Sequence, residues 1–265
     1  MEHVTSPDGI TVSYDKYGSG PPLVLVHGSL FDHNTAWMMS KPLLAQRFTT
    51  YAVARRGRGE TTATESHSIP DQAADVATVV EAIGEPVFLL GWSFGAHVSL
   101  AAAALAPERI RKLVLYEPPW GGSRSLPDDA MGEIEKAAAE GDWDRFVRTF
   151  LIRGPKWPTQ MVDAMQASPF WAPRIAEAPS SLYDFRALRQ YEFDPARFAI
   201  LTMPVLLLVG SESQRDNYVT DAMSGVLPKH QTIELQGQGH AAMVMAPQMF
   251  VEAVSTFLLG QPSAT

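Results

Sequence analysis

Gly91-Trp92-Ser93-Phe94-Gly95 has the spacing G-x-S-x-G. A serine at its centre, where a strand turns into a helix, must hold a strained backbone to present its hydroxyl. Side chains two residues to either side would meet neighbouring backbone, so glycine is needed at 91 and 95. The five-residue match alone arises by chance. What makes it specific is an apolar strand before it and an Ala-rich helix after it. The chemistry is nucleophilic attack on a carbonyl, and a serine hydroxyl near neutral pH needs an adjacent base to do it. Of the seven histidines, His240 in Gln236-Gly237-Gln238-Gly239-His240 follows the last strand and precedes the last helix. His3, His33, His67 and His230 lack a strand just before them. His97 falls one turn into the helix after Ser93 and reads as packed, and His27 ends a strand and reads as structural. A tetrahedral intermediate also needs backbone donors, and the amide of Phe94, directly after the nucleophile, is one.

These residues need a scaffold that brings distant loops together. The segment 10–17 alternates apolar and polar residues, as a half-buried strand does. Short all-apolar runs at 23–26, 49–54, 87–90, 112–116, 203–209 and 231–235 are the mark of strands covered on both faces. Helical spacing fills 69–83, 94–105 and 248–259, with Asp71 near the start of the first and Gly84 just past its end. Strands alternating with helices predict an α/β fold, a doubly wound, mostly parallel sheet. Ligands bind such sheets at the carboxyl ends of the strands, so the loops of His27, Ser93, Glu117, Gly210 and His240 should crowd one edge. Between 119 and 198 the alternation stops. Helical stretches at 131–139, 143–151, 160–167 and 182–191 replace it, with four of the six tryptophans and Pro155, Pro158, Pro169, Pro173 and Pro179. That predicts a helical lid over 119–198 inserted into a core of 1–118 and 199–265.

The whole chain narrows the function classes. Its 265 residues suit one large domain with an insertion. Net charge is −8, and the densest basic stretch is Arg55, Arg56 and Arg58 in one short loop, which argues against a nucleic-acid or anionic-membrane surface. There is no cysteine, hence no disulfide, thiolate metal site or cysteine nucleophile. The first residues carry neither a basic nor an apolar leader pattern, so a cytoplasmic location is expected. Residues 87–107 contain no Asp, Glu, Lys or Arg, but Gly91, Ser93, Gly95 and His97 interrupt them. A strand, a tight turn and a buried helix are expected there rather than a membrane span.

His27-Gly28, Arg56-Gly57-Arg58-Gly59, the serine turn and Gly239-His240 together resemble the α/β-hydrolase family over almost the whole chain. Most of that family has an aspartate after the strand ending here at Val209-Gly210. The matching position is Ser213, so the usual acid is absent. A second arrangement in the family takes the acid from the loop after the preceding strand, which here gives Glu117 in Tyr116-Glu117-Pro118-Pro119. The resemblance therefore implies a triad of Ser93, His240 and Glu117, with Glu212 and Asp216 as alternative acids. It also implies that the second oxyanion donor is the amide of Ser29. The triad layout is similar to that of zearalenone-type lactone hydrolases and of small bacterial esterases, although the loop His27-Gly28-Ser29-Leu30 departs from the former. Trp171, by likeness to a lid tryptophan in those lactone hydrolases, and Trp92 and Leu30 are the candidate substrate contacts.

The expectation is an esterase or lactonase acting on a hydrophobic or aromatic small molecule through an acyl-enzyme, with no metal and no organic cofactor. Two alternatives stay open. A cofactor-free haloperoxidase (perhydrolase) or a carbon–carbon bond hydrolase uses the same triad, and a non-catalytic binding protein of the fold would explain the missing acid at Ser213. Haloalkane dehalogenases and epoxide hydrolases use an aspartate where Ser93 stands, which argues against both. Exposed apolar residues of the lid could serve a homodimer as easily as a pocket.

Overall fold

A computed structural model describes residues 1–64, 67–124 and 126–260. Eight strands form one sheet: β1 (Glu2–Thr5), β2 (Thr11–Gly18), β3 (Pro22–Val26), β4 (Thr49–Val53), β5 (Val87–Trp92), β6 (Ile110–Tyr116), β7 (Val205–Gly210) and β8 (His230–Leu235). Their spatial order is β1-β2-β4-β3-β5-β6-β7-β8. The pairs β1–β2 and β2–β4 are antiparallel and the rest are parallel. β3, β5 and β7 are buried along their whole length. Each needs apolar side chains on both faces, which is why these strands read as unbroken apolar runs.

Alternation divides the core. Leu23 and Leu25 point to one face, with residues of α10 (Pro247–Leu259) and with Phe48, whereas Val24 and Val26 point to the other. There α2 (Ile69–Ile83) and α3 (Phe94–Leu105) cover the sheet. The remaining core helices, α1 (Lys41–Leu44), α8 (Thr220–Ser224) and α9 (Ala242–Met245), are single turns. α2 starts on Ser68, whose hydroxyl oxygen accepts the Asp71 N–H at 3.2 Å, and ends on Gly84 at φ +81°. Asp71 stands three residues inside the cap, and its carboxylate accepts a hydrogen bond from the Ser68 hydroxyl at 2.5 Å.

Between β6 and β7 the chain makes four helices: α4 (Asp128–Ala139), α5 (Trp143–Arg153), α6 (Thr159–Gln166) and α7 (Trp171–Gln190). No strand interrupts them among the described residues. The expected helix at 182–191 is a correction, because α7 begins eleven residues earlier at Trp171 and runs through Pro173 and Pro179. Pro173 sits in the first turn, where its missing N–H has no partner to lose. Pro179 is internal and removes one helical hydrogen bond, but Trp171, Arg174, Ala178, Ser181, Leu182, Asp184, Phe185 and Leu188 are all buried along the helix. Burial on that scale outweighs the roughly 3 kcal/mol cost of an internal proline. The segment 87–107 is β5, the turn at Ser93, and α3 with its exit. No helix among the described residues is long and apolar enough to cross a membrane.

Candidate active site

Register brings the chemistry to one sheet edge. Val26 pairs with Gly91, Trp92 with Tyr116, Tyr116 with Leu208, and Gly210 with Leu235. The residues following these pairs are His27, Ser93, Glu117, Ser211 and the Gln236–His240 loop. Among non-glycine residues with positive φ, Leu30 (+59°), Ser93 (+57°) and Glu117 (+49°) all belong to these loops. Such conformations cost of order 1–3 kcal/mol each and persist where surroundings enforce them.

The surroundings of Ser93 are explicit. A Cβ on Gly91 would lie 2.4 Å from Gly95 O and from Ser99 Oγ, and one on Gly95 would lie 2.4 Å from Val26 O and His27 O. Glycine at both positions lets α3 close on the sheet and holds Ser93 at its tip. The Ser93 N–H donates to Tyr116 O at 2.9 Å.

Glu117 is fully buried. Its Oε1 accepts the Gly210 N–H at 2.7 Å and its Oε2 accepts His240 Nδ1–H at 2.6 Å. An ionised carboxylate only accepts, so the ring proton is on Nδ1 and Nε2 keeps its lone pair. The alternatives Glu212 and Asp216 are exposed. The His240 loop is tied down by Trp92 Nε1–H donating to His240 O at 2.8 Å, by the Tyr116 hydroxyl donating to Gly239 O, and by the Ala242 N–H donating to that hydroxyl at 3.2 Å. Tyr218 stacks on the imidazole with ring centroids 5.2 Å apart and planes 18° apart. Burial, and then the charge of Glu117, push its phenol well above the ordinary value, so it stays neutral beside the carboxylate.

Ser93 and His240 line one cavity with Ser29, Leu30, Trp92, Phe94 and Tyr218. No hydrogen bond joins Ser93 Oγ to His240 among the described residues; such contacts tighten when substrate binds. The N–H groups of Phe94 and Ser29 donate to no protein acceptor among the described residues. The loop of Ser29 is close to the nucleophile, since a Cβ on Gly28 would fall 2.9 Å from Ser93 Cβ. Apart from Asn217 and the backbone of Gly154, the rest of the wall is apolar: Phe31, Pro119, Leu126, Phe150, Leu151, Pro155, Trp157, Phe185 and Leu188.

Trp171 is a correction. It does not line this cavity; it is 7% exposed and its indole N–H donates to Asp144 Oδ1 at 2.7 Å, tying the start of α7 to α5. A tryptophan whose polar atom already has a partner in packing is spent as core. The inserted helices present Trp157, Phe150 and Phe185 instead.

The model of the alpha/beta hydrolase family matches residues 23–253, most of the chain. The chain belongs to the alpha/beta hydrolase family. It is 28% identical over 270 residues to the pimeloyl-[acyl-carrier protein] methyl ester esterase of Aeromonas hydrophila subsp. hydrophila, covering 94% of this chain and 100% of that protein. It is 27% identical over 264 residues to the 2-(acetamidomethylene)succinate hydrolase of Mesorhizobium japonicum, covering 94% and 92%. Among solved structures it is similar to an alpha/beta hydrolase from Sphaerobacter thermophilus, with a TM-score of 0.80, 29% identity, and 94% and 100% of the two chains covered.

Other features of this alpha/beta hydrolase were hidden in its sequence. Arg55, Arg56 and Arg58, the densest basic stretch, are all buried rather than displayed. Arg56 is paired with Asp75 and Asp8, and Arg55 and Arg58 converge on Asp184 of α7. Three arginines in a loop just after a buried strand are a signal that carboxylates must be waiting, but not which ones. Tyr218 had no signal, because its stacking on His240 depends on the isolated bridge between Pro119 and Tyr218. His27 is structural as expected: Nδ1–H donates to Gly28 O at 2.8 Å, and Nε2 accepts the Arg55 N–H at 3.4 Å.

Proposed function

We propose that this chain hydrolyses a neutral carboxylic ester or lactone with a hydrophobic or aromatic acyl part. The observation that carries the reading is the 2.6 Å bond from His240 Nδ1–H to the buried Glu117, with His240 and Ser93 on one apolar cavity. Ser93 Oγ attacks the carbonyl carbon while His240 Nε2 takes its proton. Glu117 keeps the imidazole in the tautomer that can accept and stabilises the imidazolium. The amides of Phe94 and Ser29 stabilise the oxyanion. Collapse expels the alkoxide, which takes the proton from His240, and leaves an acyl-Ser93. Water, deprotonated by His240, attacks the acyl carbon and releases the carboxylic acid and the free serine. In a lactone, alcohol and acid leave as one molecule.

No Asp, Glu, Lys or Arg lines the cavity among the described residues. A carboxylate on the substrate would lose its water there without gaining a counter-charge, which favours neutral acyl chains. The test uses p-nitrophenyl esters and a fluorophosphonate. Wild type should turn over p-nitrophenyl butanoate and hexanoate and label stoichiometrically, and Ser93→Ala should do neither. The ester of a chain-matched dicarboxylic acid with one free carboxylate should have kcat/KM at least about tenfold lower. A wild type that labels but prefers the charged ester sinks the substrate class and keeps the triad, whereas a wild type that does not label sinks both.

A further inference from the structure

The loop that carries Ser29 is held by side chains from elsewhere in the fold. Arg55 Nε donates to His27 O at 2.9 Å and Arg55 Nη2 to Gly28 O at 3.1 Å. The Ser29 hydroxyl donates to Asp184 Oδ2 at 2.9 Å. The Leu30 N–H donates to Ser181 Oγ at 2.8 Å. Asp184 is fully buried, and besides the Ser29 hydroxyl its carboxylate accepts Arg55 Nη1 at 2.8 Å, Arg55 Nη2 at 2.7 Å and Arg58 Nη2 at 2.7 Å. Arg58 Nη2 also donates to Ser181 Oγ at 3.0 Å.

Buried charges of this kind add little net stability over an apolar filling of the same shape. What they supply here is geometry. Leu30 sits at φ +59°, a conformation that a leucine does not hold unaided. The network reaches the carbonyls of 27 and 28, the side chain of 29 and the amide of 30. It leaves the Ser29 amide without a protein partner, next to the nucleophile.

We propose that Asp184, on the inserted helix α7, is a positioning residue for the oxyanion hole, holding the Ser29 amide in place through the Ser29 hydroxyl and through Arg55. The inference rests on the hydrolytic reading above. It also gives α7 two duties on one face. Residues 181, 184, 185 and 188 follow the i, i+3, i+4, i+7 spacing of a single helix stripe. Ser181 and Asp184 hold the oxyanion loop, while Phe185 and Leu188 line the cavity. The helix that contacts the acyl chain is therefore the one that anchors the donor.

The test separates the hydroxyl from the amide. Ser29→Ala keeps the N–H and the Arg–Asp pairs and removes only the tether. Ser29→Thr restores a hydroxyl. Asp184→Asn keeps the shape and removes the charge. Measured are kcat and KM for p-nitrophenyl butanoate, the second-order rate of fluorophosphonate labelling, and the thermal midpoint. Labelling matters because the phosphoryl oxygen enters the same hole. Ser29→Ala should lower kcat and the labelling rate together by about tenfold or more, with KM within about twofold and the thermal midpoint near that of wild type. Ser29→Thr should recover most of the loss, and Asp184→Asn should lower kcat at least as far as Ser29→Ala. Should Asp184→Asn fail to fold, the Ser29 pair still decides. Wild-type kcat and labelling in Ser29→Ala overturn the proposal, as does a loss carried by KM alone. A wild type inert to the phosphonate overturns the hydrolytic reading and this inference with it.

Discussion

Glu117 divides its two oxygens between two loops. One oxygen takes the Gly210 amide and the other takes His240. The Gly210 contact ties the carboxylate of the loop after β6 to the end of β7, whose own loop carries Ser213. The amide at the end of β7 fixes the carboxylate, and Ser213 has no charge to compete for the imidazole. Removing the charge while keeping the shape should disable the base. Glu117→Gln is expected to lower kcat by about 10³–10⁴-fold, by analogy with other triad acids replaced by their amides. Glu212→Gln and Asp216→Asn, both exposed, should stay within about twofold of wild type. Steady-state kinetics with p-nitrophenyl butanoate across the three variants checks this. A Glu117→Gln enzyme close to wild type would return the acid to the β7 loop.

The inserted helices pack through aromatic faces. Phe185 of α7 is 2% exposed and stacks on Phe146 (5.5 Å, 19°) and Phe150 (4.0 Å, 15°) of α5. Phe150 and Phe185 also face the cavity, so α5 and α7 make a wall and a hydrophobic seam with the same side chains. Phe185→Ala should cost about 3–5 kcal/mol in urea unfolding. The space it opens adjoins the site, so activity should shift toward longer or bulkier acyl chains in a p-nitrophenyl ester series. Unchanged chain-length preference would mean that the wall is not where the acyl group lies. α7 shows why element boundaries failed here. Pro173 and Pro179 are breaking signals to any local reading, and the contacts that override them come from α5 and from the loops at 27–30 and 55–58.

Among the described residues four histidines are buried, His27, His33, His67 and His97, and burial lowers the pKa of each. Burial holds His97 and His67 at about 4 and His27 well below its ordinary value of 6.5. His97 Nε2–H donates to Pro119 O at 2.5 Å, anchoring the Glu117-Pro118-Pro119 loop to α3. Because the folded values are depressed, the unfolded chain binds more protons between pH 6.5 and 4. The stabilisation is complete above pH 6.5 and is lost as pH falls toward 4, with His97 alone worth up to about 3 kcal/mol. Urea midpoints should therefore fall between pH 7 and pH 4.5. His97→Gln, which can still donate to Pro119 O, should flatten that slope, and an unaltered slope would remove His97 from the account.

How much was readable from one chain follows from the range of each interaction. Strand and helix positions, the parallel sheet, and the serine and histidine at the ends of β5 and β8 were legible, because apolar period, glycine spacing and order along the chain are local properties. Glu117 was named as the acid through the resemblance, with Glu212 and Asp216 as alternatives, since the sequence does not say which carboxylate is buried beside the ring. The place of Trp171 was misread, and the partners of the three arginines could not be named, for a related reason. An aromatic or a charge in a polar-looking loop gives no sign of whether it faces substrate, solvent or core. Those assignments were made by the packing of α5 and α7 over the sheet edge, where Asp144 takes the Trp171 indole and Asp184 draws in Arg55 and Arg58. Their partners lie 27, 129 and 126 residues away along the chain, so only the folded arrangement could select them.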